Sequence, residues 1–205
     1  MIDFFTIFEF IGTIAFSISG ATTAIKRQMD LLGVVVLGMV TAVGGGMLRD
    51  VMLSITPTIF SDPFILFTAF FSSIFIFLLL YMNIKLTETK PFNAIFLLSD
   101  SIGLAVFTIF GCKRVLSLYD PGIAIFFGVL TGVGGGIIRD ILAGQTPYVL
   151  SKHFYASSCI IGAIVYVVLN PYEEHIAVFL GILVIFILRM MAAHFRWNLP
   201  KVPMQ

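Results

Sequence analysis

Two short runs in this 205-residue chain put ionisable groups where an apolar sequence has no ordinary use for them. Gly44-Gly45-Gly46-Met47-Leu48-Arg49-Asp50 recurs as Gly134-Gly135-Gly136-Ile137-Ile138-Arg139-Asp140, offset by 90 residues. Each Arg-Asp pair falls within an apolar stretch. A charge at the centre of a bilayer costs at least about 2.5–3.5 kcal/mol, so each must face protein or water and find a partner. A guanidinium beside a carboxylate in such a place offers two kinds of chemistry: a structural clamp between helices, or a charge gate that tunes the passage of ions.

The glycines ahead of each pair also allow two readings. Each glycine disfavours helix by about 0.8–1.0 kcal/mol relative to alanine. Three in a row predict a break in the middle of a span, with unpaired carbonyl oxygens that are tolerated only against protein, water or a ligand. Those carbonyls, with the hydroxyl of Thr41 or Thr131 just upstream, suit a partly dehydrated cation. The alternative is close helix crossing, in which glycines simply let two backbones touch.

Weaker candidates lie nearer the starts of other apolar stretches. Glu9 and Asp100 occupy matching positions and suit the mouths of a cation path, or plain interfacial solvation. Ser17, Ser19, Thr22 and Thr23 make the first apolar stretch rich in hydroxyls, with Thr108 the main counterpart of Ser17. Such hydroxyls line pores or merely bond the carbonyl four residues back. Cys112 and Cys159 show no metal-ligand spacing and read as packing residues. No nucleophile-base pair or metal-ligand cluster points to an enzyme, and no cofactor is implied.

These residues must be positioned by membrane helices. The chain is 59% hydrophobic and 11% charged, with mean hydropathy +1.07, far more apolar than a water-facing surface permits. Its net charge of +1 and lack of a basic run exclude nucleic acid as a partner, and nothing identifies a protein partner. Hydropathy divides it into seven stretches of spanning length, roughly 4–24, 31–53, 64–84, 94–112, 121–143, 154–170 and 176–193. The expectation is therefore an all-α polytopic membrane protein, one transmembrane domain over residues 1–205. Asp3 and Glu9 stand where a leader would be basic, so the first stretch reads as a span and not as a cleaved signal. The many Phe residues read as lipid-facing bulk, and Trp197 as an interfacial anchor.

The 90-residue offset extends beyond the glycines, pairing Gly38 with Gly128, Thr41 with Thr131 and Pro57 with Pro147. With one residue more it pairs Glu9 with Asp100, Gly12 with Gly103 and Phe16 with Phe107. Repeat one covers about 4–84 and repeat two about 94–170, with a seventh helix over about 176–193. Three spans per copy force the second copy to enter the bilayer from the opposite side, so the repeat is inverted, with helices two and five broken at the triple glycines. Lys26, Arg27, Lys85, Lys90, Lys152, Arg189, Arg196 and Lys201 fall on one side, against Lys113 and Arg114 on the other. That bias places the N-terminus outside and the C-terminus in the cytoplasm.

A three-plus-three-plus-one plan with GGG-x-x-R-D in the second and fifth spans resembles the prokaryotic members of the TRIC family, the trimeric intracellular cation channels. Sequences of this type are also labelled glycine-transporter-domain membrane proteins. The resemblance covers essentially the whole chain. It implies a homotrimer in the prokaryotic inner membrane, with an hourglass pore within each subunit that passes monovalent cations, chiefly potassium, and with possible bound lipid. It implies pore helices kinked at Gly44 to Gly46 and Gly134 to Gly136; together with the residue chemistry above, the expected pore or gating residues are Thr41, Gly44 to Gly46, Arg49, Asp50 and their counterparts Thr131, Gly134 to Gly136, Arg139 and Asp140. A secondary transporter of a small solute such as glycine is the alternative.

Overall fold

The computed structural model describes residues 4–82, 90–151 and 154–197, and every regular element among them is a helix. In chain order they are α1 (Phe4–Lys26), α2 (Leu31–Met52), α3 (Thr58–Ser61), α4 (Pro63–Met82), α5 (Lys90–Leu116), α6 (Pro121–Leu142), α7 (Tyr148–Ser151), α8 (Tyr155–Leu169) and α9 (Glu174–Phe195). Six of them, α1, α2, α4, α5, α6 and α9, are long and apolar enough to cross a membrane; α8, at the place of the sixth expected span, has 15 residues. Asp3, Lys85, Lys152 and Lys201 lie outside the described residues.

Local chemistry sets the helix ends. Asp30 caps α2 by accepting from the Gly33 N–H at 2.8 Å, and Pro121 opens α6, where a missing N–H costs nothing. Both α2 and α6 end alike. Ile55 N–H donates to the Asp50 carbonyl and Gln145 N–H to the Asp140 carbonyl, each at 3.0 Å. The reversal places Ser54 at φ 55° and Gly144 at φ 65°, a left-handed conformation that suits the glycine and strains the serine.

The expected breaks at the triple glycines are absent. Both α2 and α6 run as uninterrupted helices through Gly44–Gly46 and Gly134–Gly136, so their carbonyls stay in the helical ladder. The physical reason is that a neighbour's backbone fills the space a side chain would take. Packing against it offsets the low helix propensity of glycine.

The bundle is apolar outside and holds its charge inside. On α4 the outward side presents Phe64, Phe67, Phe71 and Phe75, all exposed, as lipid requires. Buried instead are Arg49, Asp50, Asp100, Arg139, Asp140 and Arg189. Arg189 corrects the charge tally. It belongs to α9 and is 0% exposed, so it does not flank the membrane, and the inside count drops from eight to seven against two. Trp197 closes the end of α9 by donating its backbone N–H to the Ala192 carbonyl and accepting from Phe154 N–H.

Candidate functional site

α2 and α6 cross antiparallel at their glycines. A Cβ added to Gly45 would overlap the Thr131 carbonyl oxygen, and one added to Gly135 would overlap that of Thr41. A Cβ on Gly44 would meet the tip of Ile138 at 2.9 Å and one on Gly134 the Gly45 Cα at 3.2 Å, looser contacts with the opposite helix, whereas Gly46 has only the Arg49 Nη2 at 3.9 Å. Close approach is thus the work of the first two glycines of each triplet. Beside the crossing, the matched residues Phe16 and Phe107 stack on each other at 5.3 Å. The Thr41 and Thr131 hydroxyls donate to the carbonyls of Leu37 and Phe127, each at 2.6 Å, which occupies their protons within their own helices.

One turn beyond the crossing the two Arg-Asp pairs begin alike. Arg49 Nε reaches Asp50 Oδ1 at 2.8 Å and Arg139 Nε reaches Asp140 Oδ1 at 2.8 Å. Each aspartate also accepts from the backbone N–H that opens the next short helix, Thr58 for Asp50 at 3.1 Å and Tyr148 for Asp140 at 2.7 Å. The aspartates therefore staple the chain reversal after α2 and α6.

Beyond that the halves diverge. Arg139 Nη1 continues to Asp100 Oδ1 at 2.6 Å and to the Ser19 hydroxyl, so one guanidinium ties α6 to α5 and α1. Tyr155 donates its hydroxyl to Asp100 Oδ2 at 2.9 Å, and Arg189 Nη2 stands 3.9 Å from the same oxygen. This cluster is fully buried. Arg49 finds no such continuation. The counterparts of Ser19 and Tyr155 are Phe110 and Ile65, which have no donor to give, and among the described residues Arg49 bonds Asp50 and not Glu9, the counterpart of Asp100.

Where the first half lacks that polar closure it has space. A cavity of about 550 Å³ is lined by Glu9, Arg49, Asp50, Lys113, Arg114 and Glu174 among others, and reaches Gly46 and Thr131 at the crossing. Lys113 bridges to Glu174 at 3.1 Å and lies over the Phe5 ring, while Arg114 Nε sits 3.3 Å from Asp50 Oδ1. Carboxylates and cations are balanced along this wall. At the other end of α1 a smaller cavity of about 310 Å³ is lined by Thr22, Thr23, Lys26, Arg27, Gln145 and the rings of Phe92, Phe96 and Tyr148. Phe96 and Tyr148 stand between it and the buried cluster, their ring centroids 5.0 Å from the Arg139 and 5.9 Å from the Arg189 guanidinium carbon.

The structure thus gathers Gly46, Arg49, Asp50, Glu9 and Thr131 around one cavity, and Asp100, Arg139 and Asp140 in one network. Asp100 is not at an open mouth, because two arginines and a tyrosine enclose it. Ser17 bonds the Ala69 carbonyl and Thr108 is buried, so these two serve packing between helices. Sequence reasoning missed Arg189 and Tyr155. Arg189 carried the same signal as Arg139, an arginine in an apolar stretch, but lies close enough to the C-terminal end of its helix to read as a flank.

The helical bundle, the doubled Arg-Asp network and the internal cavities define a polytopic membrane protein with charged groups and cavities in its interior. The family described as Glycine transporter matches twice, over residues 6–81 and 97–171, and the chain belongs to that family. The inner membrane protein YadS of Escherichia coli is 40% identical over 203 residues, covering 95% of this chain and 93% of its own. A structure solved to explain conductance through TRIC cation channels is similar with TM-score 0.86 at 38% identity, covering 99% of both chains. The TRIC trimeric intracellular cation channel orthologue from Rhodobacter sphaeroides is similar with TM-score 0.85 at 30% identity, covering 93% of this chain and 97% of that one. The fold is that of the prokaryotic TRIC channels.

Proposed function

We propose that the protein is a passive channel for monovalent cations, chiefly potassium, in the prokaryotic inner membrane. One hourglass path lies inside each subunit of a homotrimer, and lipid covers the apolar flanks. The observation that carries this reading is the cavity of about 550 Å³ that runs from charged groups to Gly46 and Thr131 at the crossing, in a chain similar over 99% of its length to a cation channel. On this reading α8 completes seven spans and the two repeats are inverted, which the antiparallel crossing of α2 and α6 supports. The N-terminus is outside and the C-terminus cytoplasmic.

Cations enter past Glu9, Glu174 and Asp50, whose charge offsets the neighbouring Arg49, Lys113 and Arg114. They reach the waist formed by Gly44 to Gly46 and Gly134 to Gly136, beside Thr41 and Thr131. Arg139, held by Asp100 and Asp140, closes the way onward, so the conformation described is a shut one with its first half open to water. Recordings of the purified protein in planar bilayers with asymmetric potassium chloride test this. Discrete unitary currents reversing towards the potassium equilibrium potential are expected. Their absence, together with counterflow of labelled glycine in proteoliposomes, would replace the channel by a secondary transporter.

A further inference from the structure

The wall of the larger cavity carries opposite charges in equal number, Arg49, Lys113 and Arg114 against Glu9, Asp50 and Glu174, but the three carboxylates are not equally engaged. Asp50 is held by Arg49 at 2.7 Å, by Arg114 at 3.3 Å and by the Thr58 N–H at 3.1 Å. Glu174 bridges to Lys113 at 3.1 Å. Glu9 differs: among the described residues its carboxylate has neither an ion pair nor a hydrogen bond, and the Thr13 hydroxyl donates only to its backbone carbonyl. The repeat gives the reason. Its counterpart Asp100 is held by Arg139 and Tyr155, whereas Arg49 turns to Asp50 and Ile65 stands in the place of Tyr155.

An unpaired carboxylate within an apolar helix is costly unless water or a cation reaches it. Glu9 shares a face of α1 with Phe5, four residues before it, and with Phe16, seven after it, whose ring stacks on Phe107 of the cavity wall. At a rise of about 1.5 Å per residue it stands about 10 Å from the crossing, inside the cavity. Glu174, with its side chain 42% exposed, lies at the rim, where dissolved salt screens it. We propose that Glu9 is the residue that makes this cavity prefer cations to anions. Without it the wall holds three cations against two carboxylates, and a surplus positive charge between apolar walls repels cations and draws anions. Glu9 requires no fixed contact with an ion, since its charge acts across the water of the cavity. The inference deepens the channel reading and rests on it.

Reversal potentials of the full-length protein in a potassium chloride gradient give the potassium-to-chloride permeability ratio. Glu9→Gln should lower that ratio at least about fivefold, because a charge between apolar walls is weakly screened. Glu9→Ala should do the same and serves if the glutamine variant does not fold. Glu9→Asp keeps the charge and should keep most of the ratio, while Glu174→Gln at the rim should lower it less. Adding Lys113→Gln to Glu9→Gln returns the wall to two cations against two carboxylates and should recover much of the lost preference. A packing role for Glu9 predicts no such recovery. A ratio in the Glu9 variants equal to that of the parent overturns the proposal, and so does a fall that Lys113→Gln leaves in place. If the parent gives no unitary currents, the channel reading fails and this inference falls with it; a cation-selective parent with equally selective Glu9 variants overturns the inference alone.

Discussion

The two halves of this molecule start from the same seven-residue motif and end in different states. In the second half Ser19, Tyr155 and Asp100 surround Arg139, and the polar groups draw the helices together into a closed, buried network. In the first half the corresponding positions hold Phe110, Ile65 and Glu9, so Arg49 keeps only its neighbour Asp50 and a cavity remains. The motif sets where a helix pair crosses and how the chain turns after it. The residues that face it from other helices decide whether the space beyond is open or shut.

The largest expected effect concerns the crossing that both halves share. Gly45→Ala and Gly135→Ala place a methyl against a backbone carbonyl of the facing helix, so neither variant should give a folded, monodisperse protein in detergent on size exclusion. Gly46→Ala meets only the tip of Arg49 and should fold. Equal behaviour of Gly45→Ala and Gly46→Ala would remove the distinction between packing glycines and cavity-lining ones.

The buried carboxylates come next. Asp100→Asn leaves Arg139 and Arg189 without their shared partner and should cost about 3–5 kcal/mol, read as a lowered thermal unfolding midpoint. Glu9→Gln, at the matched position beside the open cavity, should cost under about 1 kcal/mol while reducing cation current. Comparable losses from both would break the asymmetry between the halves.

A transplant sharpens it. Phe110→Ser with Ile65→Tyr supplies the first half with the donors of the second. Each bond gained to a charged group contributes about 1.5–3 kcal/mol towards closing, so unitary currents should shrink or vanish in a protein that still folds. The smallest effect belongs to the exposed rim: Lys113→Ala breaks the bridge to Glu174 and should change stability by under about 1 kcal/mol, with a measurable change in current rectification.

Much of this was legible in the residues. The apolar stretches gave the helices to within a few positions, because burial of about 20 apolar residues admits little else in a bilayer. The offset of 90 residues exposed the doubled plan, and the Arg-Asp pairs, expected to face protein or water with a partner, are paired and face protein. The breaks at the glycines were misread, since helix propensity is a local quantity and the partner backbone that packs against the glycines of α2 and α6 comes from 90 residues away. Arg189 was misplaced for a related reason: position along a span distinguishes a flank from a core only when the neighbours are known.

What the sequence determined by itself, then, is the set of helices and the pairing of equivalent groups, both consequences of composition and spacing. Only the tertiary structure decided that the triple glycines are contact surfaces in continuous helices and that one Arg-Asp half is closed while its twin is open. The deciding contacts, Ser19 and Tyr155 on Arg139 and Asp100 against Phe110 and Ile65 beside Arg49, lie on helices distant in the chain, and hydrogen bonds between such residues leave no local pattern.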